Sequence, residues 1–313
     1  MAVPFDVDRL EVTGSPVQMV EDVRGRVENG QAQFGVSPTG VLVYVTGPDA
    51  YPSQRNLVWV DRAGGEEPIA APPRAYTNPR ISSDGRQIAV DVRDQQSDIW
   101  IWDNQRQTLQ RLTSDPADDQ FPIWMPDGHH LVYESGPGPN GFALYRQASD
   151  GSGVRELLST SAAAQVPEAV TPDGAHIVVR ATNAALAGAD LQILTLGAKV
   201  LMAPLIRTPF LTHATTISPD GRWLAFESDE SGRPEVYVRP FPKIDDGLWQ
   251  VSSDGGTRPT WSRDGKELFY LVGGSGSVRL MLPRETHSTA IPRQRAPPAP
   301  RPRRPQARST AAR

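Results

Sequence analysis

The chain has 313 residues, a net charge of −4 and no cysteine, which excludes disulfides, thiol chemistry and zinc bound by cysteine. It contains no apolar run long enough to predict a membrane span, and its first residues lack the features of a signal peptide. The compartment is not specified by these features, so a cytoplasmic location is the default expectation.

The charge is distributed unevenly along the sequence. Residues 286–313 contain seven arginines and no acidic residue, so the remainder carries a charge of −11. An acidic body argues against nucleic-acid binding, which needs a basic surface. The segment 284–313 is dominated by arginine, proline and alanine without apolar periodicity, and we expect it to be a disordered tail.

A four-residue turn of the type Ser-Pro-Asp-Gly recurs six times. Its glycines are separated by 45, 43, 46, 47 and 44 residues. A repeat of this length is typical of a propeller blade with four strands. The six copies, in chain order, lie at residues 37–40, 82–85, 125–128, 171–174, 218–221 and 262–265.

The sequence around each turn predicts a β-hairpin. Proline suits the second position of a type I turn, and glycine takes the following left-handed conformation at little steric cost. Alternating apolar residues that predict a first and a second strand flank the turns, and segments such as 98–102, 143–146 and 235–238 predict a third. Turn aspartates such as Asp84 and Asp220 are therefore interpreted as backbone-supporting residues.

Prolines indicate which strand lies at an edge. Pro79, Pro122 and Pro259 each precede their turn glycine by six residues, and Pro167 precedes its own by seven. Because proline has no N–H, it is confined to edge strands or strand ends, which suits the inner strand of a blade. The predicted fold is therefore an all-β propeller of four-stranded antiparallel blades, with six blades, or alternatively seven or a partial ring.

The propeller is predicted to span residues 1–283. Residues 1–22 contain two strand-like segments that could complete the last blade and join the ends of the ring. In the alternative arrangement, residues 277–282 supply the third strand of that blade. The link 183–189 in the fourth repeat could be a short helix or an alanine-rich loop.

Segments 231–242, 249–252 and 261–270 resemble bacterial TolB-like and WD-repeat-like propellers, and most closely the C-terminal propeller extensions of bacterial eukaryotic-type serine/threonine kinases. Segments 57–62 and 4–10 add to this resemblance, which covers residues 2–272. It implies a sensing or binding module derived from a larger protein. The chain has no kinase motif, and its biased ending suggests a fragment or a shifted frame near residue 278.

No constellation of residues predicts catalysis, a cofactor or a metal site. A Gly-x-Ser-x-Gly motif is missing, and His129, His130 and His176 are explained by their positions beside turns. The acidic cluster at Asp115, Asp118 and Asp119 lacks calcium-loop spacing and is interpreted as a solvated loop between blades. We therefore expect a protein that is not an enzyme.

Propellers can bind partners across one mouth of the channel, where loops on a rigid ring meet. The polar residues predicted to enter the inner strands there are Asn78, Gln120, Gln165, His213 and Arg258. The predicted function is a non-enzymatic module that binds a protein, peptide or small ligand at this mouth. The alternative is the regulatory portion of a kinase, or of a prolyl-oligopeptidase-type hydrolase, whose catalytic domain lies outside this chain.

Overall fold

A computed structural model describes most of the chain. The residues described with their side chains are 54–61, 65–94, 96–139, 141–182 and 190–271. Elsewhere the structure describes chiefly the backbone of strands, within residues 2–45 and at 189, 272 and 277–280. The turn copy at 37–40, most of the link at 183–189 and the tail predicted at 284–313 lie outside the described residues.

Short strands form the N-terminal part of the described structure. The first five are β1 (Ala2–Asp6), β2 (Glu11–Val12), β3 (Val17–Gln18), β4 (Gly25–Arg26) and β5 (Gln31–Ala32), of which β4 and β5 pair with each other. The next four pair in chain order as one antiparallel sheet: β6 (Phe34–Val36), β7 (Leu42–Val45), β8 (Leu57–Val60) and β9 (Glu66–Pro68).

Complete blades of four antiparallel strands follow, and in each of them neighbours in sequence pair with each other. Blade 1 consists of β10 (Tyr76–Ile81), β11 (Gln87–Arg93), β12 (Ser97–Asp103) and β13 (Thr108–Arg111). Blade 2 consists of β14 (Asp119–Trp124), β15 (His130–Gly138), β16 (Gly141–Ala148) and β17 (Glu156–Ser161). Blade 3 consists of β18 (Gln165–Val170), β19 (His176–Thr182), β20 (Ala189–Thr195) and β21 (Leu201–Ile206). Blade 4 consists of β22 (Thr212–Ile217), β23 (Trp223–Ser228), β24 (Glu235–Pro240) and β25 (Trp249–Gln250), with a 3-10 helix at Ile244–Asp246.

The last sheet combines strands from both ends of the chain. Its C-terminal strands are β26 (Thr257–Trp261), β27 (Glu267–Val272) and β28 (Ser277–Leu280). One edge of β27 pairs with β26, while β1 and β28 share the other edge, β1 along residues 267–269 and β28 along residues 270–272. Strand β3 pairs with β28. Both strands considered for the third position therefore lie beside β27.

The repeated turns have the geometry that the sequence predicts. In blade 1, Gly85 has a φ of 75° and its N–H donates to the carbonyl of Ser82 at 2.9 Å. The Ser82 hydroxyl donates to Asp84 Oδ1 at 2.7 Å, and Asp84 Oδ1 also accepts the Arg86 N–H at 3.0 Å. Slight burial would raise the pKa of Asp84, but these hydrogen bonds outweigh it and lower the pKa. The turn aspartates thus support the backbone.

The core consists of apolar layers between neighbouring blades. One buried cluster contains Ala89 of blade 1 and Tyr133 of blade 2, and another contains Leu144 of blade 2 and Val179 of blade 3. A further cluster joins blades 3 and 4, and another joins blade 4 to the last sheet. A single blade cannot bury both of its faces, so the stacking of blades around the ring is what removes their apolar faces from water.

Replacing Gly85 by alanine tests the turn without disturbing packing, because an added Cβ would meet no heavy atom within 4 Å. A left-handed conformation costs an alanine about 1–2 kcal/mol, so the urea midpoint of Gly85→Ala should fall accordingly. Gly85→Asn is the control, because asparagine tolerates positive φ and should lose less. Equal stability of the glycine and alanine proteins would contradict the assignment.

Candidate functional site

The inner strands of several sheets share a bulge. The register shifts in β10, β14, β22 and β26, and within each shift one residue other than glycine has a positive φ. These residues are Asn78 (φ 48°), Phe121 (φ 57°), Ala214 (φ 52°) and Arg258 (φ 55°). Each lies seven residues before its turn glycine. A bulge bends its strand and re-aims side chains, and here it repeats around the ring.

The prolines lie in this bulged region, as the edge-strand prediction requires. Pro79, Pro122 and Pro259 directly follow the residue with positive φ, and each first strand pairs with only one other strand of its sheet. Proline has no N–H to donate to a ladder, so the bulge on an edge strand accommodates it without losing a hydrogen bond.

A cavity of about 390 Å³ lies where the bulged strands meet. Its lining comes mainly from β10, β14, β18, β22 and β26. Among the residues predicted for the channel mouth, Asn78, His213 and Arg258 line this cavity. Gln165 lies apart from it and is buried, where it accepts a hydrogen bond from the Ser159 hydroxyl at 2.6 Å. Gln120 does not line the cavity either; its neighbour Phe121 does.

The predicted residues do not all hold equivalent positions, and equivalent positions do not all reach the cavity, since His213 lines it and Gln120 does not. Asn78 and Arg258 precede their turn glycines by seven residues, Gln120 and His213 by eight, and Gln165 by nine. Alternation along a strand reverses the side-chain direction at each residue, and a bulge interrupts the alternation. Sequence reasoning also missed three charged lining residues: Arg80, Glu168 and Arg180.

Glu168 connects two blades at the cavity wall. Arg180 Nε of the same blade donates to Glu168 Oε1 at 2.8 Å, and the Thr215 N–H of blade 4 donates to Oε2 at 2.8 Å. Burial alone would raise the pKa of Glu168. The charge of Arg180 and the hydrogen bonds from Arg180 and Thr215 outweigh burial and lower it. Glu168 is therefore a charged carboxylate that fixes one blade against the next.

Glu227, on the second strand of blade 4, likewise accepts an N–H from the next sheet, but its pKa is shifted in the opposite direction. Its Oε2 accepts the Arg258 N–H at 3.2 Å, and its Oε1 lies 3.6 Å from His213 Nε2. Burial raises the pKa of Glu227 to about 8 and lowers the pKa of His213 to about 4. Both groups are thus predominantly uncharged at neutral pH, so their contact is not an ion pair.

Two further buried acids lie at the corresponding position of blades 1 and 2. Asp91 Oδ2 accepts hydrogen bonds from Thr77 Oγ1 at 2.9 Å, Asn78 Nδ2 at 2.8 Å and Arg93 Nη2 at 2.8 Å. Burial raises the pKa of Glu134 to about 7, against the opposing charge of Arg180. These side chains form a polar layer at the inner ends of the blades.

The acidic cluster before the third turn is only partly solvated: Asp115 and Asp118 are partly exposed on the loop between blades, whereas Asp119 begins β14 and is buried. Asp119 is fully buried, and burial raises its pKa to about 6. Asp118 Oδ1 accepts the Ser97 N–H at 3.1 Å, and Asp115 forms an ion pair with Arg155. The cluster therefore connects blades 1 and 2. Within the part of the chain that the structure describes, no three acidic or histidine side chains converge as metal ligands, and no helix is long and apolar enough to span a membrane.

The fold and the cavity define this chain as an all-β propeller of four-stranded antiparallel blades with charged residues at the centre of its ring. No family model matches the sequence, and no curated protein matches it. Solved propellers are similar in structure. A putative TolB from Agrobacterium tumefaciens has a TM-score of 0.63 and 19% identity, over 79% of this chain and 88% of that one.

Two other solved structures extend the comparison. A gluconolactonase from Xanthomonas campestris has a TM-score of 0.65 and 14% identity, over 90% of this chain and 98% of that one. The propeller domain of the trilobed protease from Pyrococcus furiosus has a TM-score of 0.54 and 13% identity, over 82% and 81%. At such identities the likeness shows the propeller fold alone.

Replacing Glu227 by glutamine tests the raised pKa. Between about pH 4.5 and pH 8 the folded protein keeps a proton that the unfolded chain releases, so this residue makes wild-type stability fall as pH rises. Glutamine resembles the protonated carboxyl and does not titrate. The stability advantage of Glu227→Gln should grow across this window, by up to about 4 kcal/mol, and level off above pH 8.

The measurement is urea unfolding at several pH values. Glu67→Gln is the matched control, because it makes the same change at an exposed position on the outer strand β9. A constant difference between wild type and Glu227→Gln from pH 5 to pH 8 would contradict the raised pKa.

Proposed function

We propose that this protein is a non-enzymatic binding propeller that holds a small ligand or the end of a peptide in the cavity at the centre of its ring. The observation that carries the proposal is the cavity of about 390 Å³, into which β10, β14, β18, β22 and β26 all contribute side chains. A cavity of this volume fits the range of small-molecule sites in proteins.

The shape of the ring supports the same proposal. We propose six blades: the four complete ones, the sheet of β6 to β9, and the sheet that β26 and β27 form with strands from both ends of the chain. In such a ring every inner strand faces the axis, so a ligand at the axis contacts several sheets at once. Binding there would also stabilise the ring, because the ligand would contact both sides of several inter-blade junctions.

The bulged backbone is a second line of support. Phe121, Ala214 and Arg258 adopt a left-handed conformation that residues with a side chain rarely take. Backbone strain of this kind costs about 1–3 kcal/mol per residue and clusters at functional sites. Three strained residues that line one cavity are consistent with a site whose geometry is maintained for binding.

A regulatory role beside a catalytic domain outside this chain is the alternative proposal. One observation is in keeping with it: the similar structures include a propeller that is one domain of a protease. The resemblance of segment 231–242 to kinase propeller extensions stays a prediction. In either arrangement the cavity would be the sensing site, so the same experiment applies to both.

A blocked cavity tests the proposed site. Thr216 is a partly buried lining residue, and Thr216→Tyr should fill part of the cavity. Thr108→Tyr makes the same change at an exposed position on the outer strand β13. We expect thermal-shift screening with organic acids, sugars and short peptides to find compounds that stabilise wild type and Thr108→Tyr but not Thr216→Tyr.

Circular dichroism of all three proteins would first establish that each is folded. Compounds that stabilise Thr216→Tyr as strongly as wild type would place the ligand elsewhere on the propeller and contradict the proposed site. A panel that stabilises none of the proteins would also count against a small-ligand site.

A further inference from the structure

One position of the repeat lines the cavity in all six copies. It lies five residues before the turn glycine, and its occupants are Gly35, Arg80, Ile123, Ala169, Thr216 and Thr260. The inner strands lie side by side in chain order, from β6 beside β10 to β22 beside β26. The residue types at this position therefore describe the chemistry of the cavity wall around its circumference.

Blades 2 and 3 make one side of this wall apolar. Ile123 and Ala169 hold the shared position there, and two residues before them lie Phe121 and Pro167, which also line the cavity. Phe121 is partly exposed, whereas the other three residues are buried. A polar group of a ligand would find no hydrogen bond from these four side chains, so an apolar part of the ligand fits best here.

Blade 4 and the last sheet contribute hydroxyl groups to the wall. Thr216 and Thr260 hold the shared position on the neighbouring strands β22 and β26, and both are partly exposed. Neither hydroxyl has a hydrogen-bond partner among the residues that the structure describes. Because a hydroxyl can both donate and accept, these two groups suit an amide or a hydroxyl of a ligand.

The arginines of the lining do not call for a charged ligand. Glu168 forms an ion pair with Arg180 at 2.8 Å. The charge of Glu168 also acts on Arg80 and Arg258, and that of Asp91 acts on Arg80. Since carboxylates already act on each of these arginines, the ligand need not bring a counter-charge.

Phe121 and Arg80 favour an aromatic ring over a saturated one. They lie on the neighbouring inner strands β14 and β10, and both line the cavity. An aromatic side chain attracts a second ring in stacked or edge-to-face geometry, in addition to the effect of burial. A guanidinium group is attracted to the face of an aromatic ring and can stack on it. A saturated ring of the same size offers neither interaction.

We propose that the cavity binds a small neutral aromatic molecule, with its ring on the side of blades 2 and 3 and its polar group toward Thr216 and Thr260. This inference rests on the proposed function and specifies the chemical class of its ligand. Benzamide has both features and is the probe. Cyclohexanecarboxamide carries the same amide on a saturated ring, and benzoate replaces the amide by a charged group.

Ligand-observed NMR titration of the full chain with each compound, at constant pH and ionic strength, is the direct test. Benzamide should bind wild type about two- to tenfold more tightly than cyclohexanecarboxamide, which is the effect of one aromatic pair. Phe121→Leu should make the two affinities nearly equal, because leucine is apolar but has no ring. Phe142→Leu is the matched control, since Phe142 lies on β16 and is not among the described lining residues.

The hydroxyl groups are tested separately. Thr216→Val and Thr260→Val keep the branched shape of the side chain and remove its hydroxyl. Each should weaken benzamide binding roughly two- to tenfold, which corresponds to one hydrogen bond. Thr108→Val, at an exposed position on the outer strand β13, is the control and should leave binding unchanged.

The comparison of compounds on wild type does not depend on any variant folding. Equal affinities for benzamide and cyclohexanecarboxamide, tighter binding of benzoate than of benzamide, or no binding of benzamide would each overturn the inference. If cyclohexanecarboxamide or benzoate binds best and Thr216→Tyr abolishes that binding, the proposed site stands and only its preference for neutral aromatic ligands fails. Benzamide that binds Thr216→Tyr as tightly as wild type would contradict the site itself.

Discussion

The ring depends on buried carboxylates that accept backbone N–H groups from the next sheet. Glu168 of blade 3 accepts the N–H of Thr215 in blade 4, and Glu227 of blade 4 accepts that of Arg258 in the last sheet. A bulge leaves an N–H without a partner in its own ladder, and a buried N–H needs one. Since each bond crosses a junction, it couples the angle between sheets to the shape of the inner strands.

This constraint explains why charge accumulates at the centre. Carboxylates placed to reach the next blade must be buried, and buried acids either acquire a cationic partner or become protonated. Glu168 takes the first course through Arg180, while Glu227 takes the second. The arginines then lie at the inner surface, because burying them in the apolar layers between the blades would be unfavourable. Buried charge and strained backbone thus concentrate at the proposed site, and functional sites are where proteins typically depart from the rules that favour stability.

The sequence predicts the architecture much better than the site. Turn glycines and prolines such as Gly85 and Pro79 act through local backbone geometry, so their spacing is sufficient to predict turns and edge strands. Residues of the cavity depend on bulges, which shift the register by one residue and change the direction of the following side chain. The sequence therefore predicts Gln120 as a lining residue, whereas its neighbour Phe121 lines the cavity. The burial of Asp119 depends on the neighbouring blade, which local sequence does not reveal.

Blade 3 shows how the charged site is compatible with the repeat. Six residues after their turn glycines, blades 1, 2 and 4 have an acid, whereas blade 3 has Arg180. In blade 3 the acid instead comes from the first strand, as Glu168, which still accepts an N–H from the next blade. Placing the acid on the first strand and the arginine on the second preserves the hydrogen bond across the junction and brings a guanidinium to the cavity lining. Because only the link between sheets is constrained, the repeat can change the charge of the cavity without losing the ring.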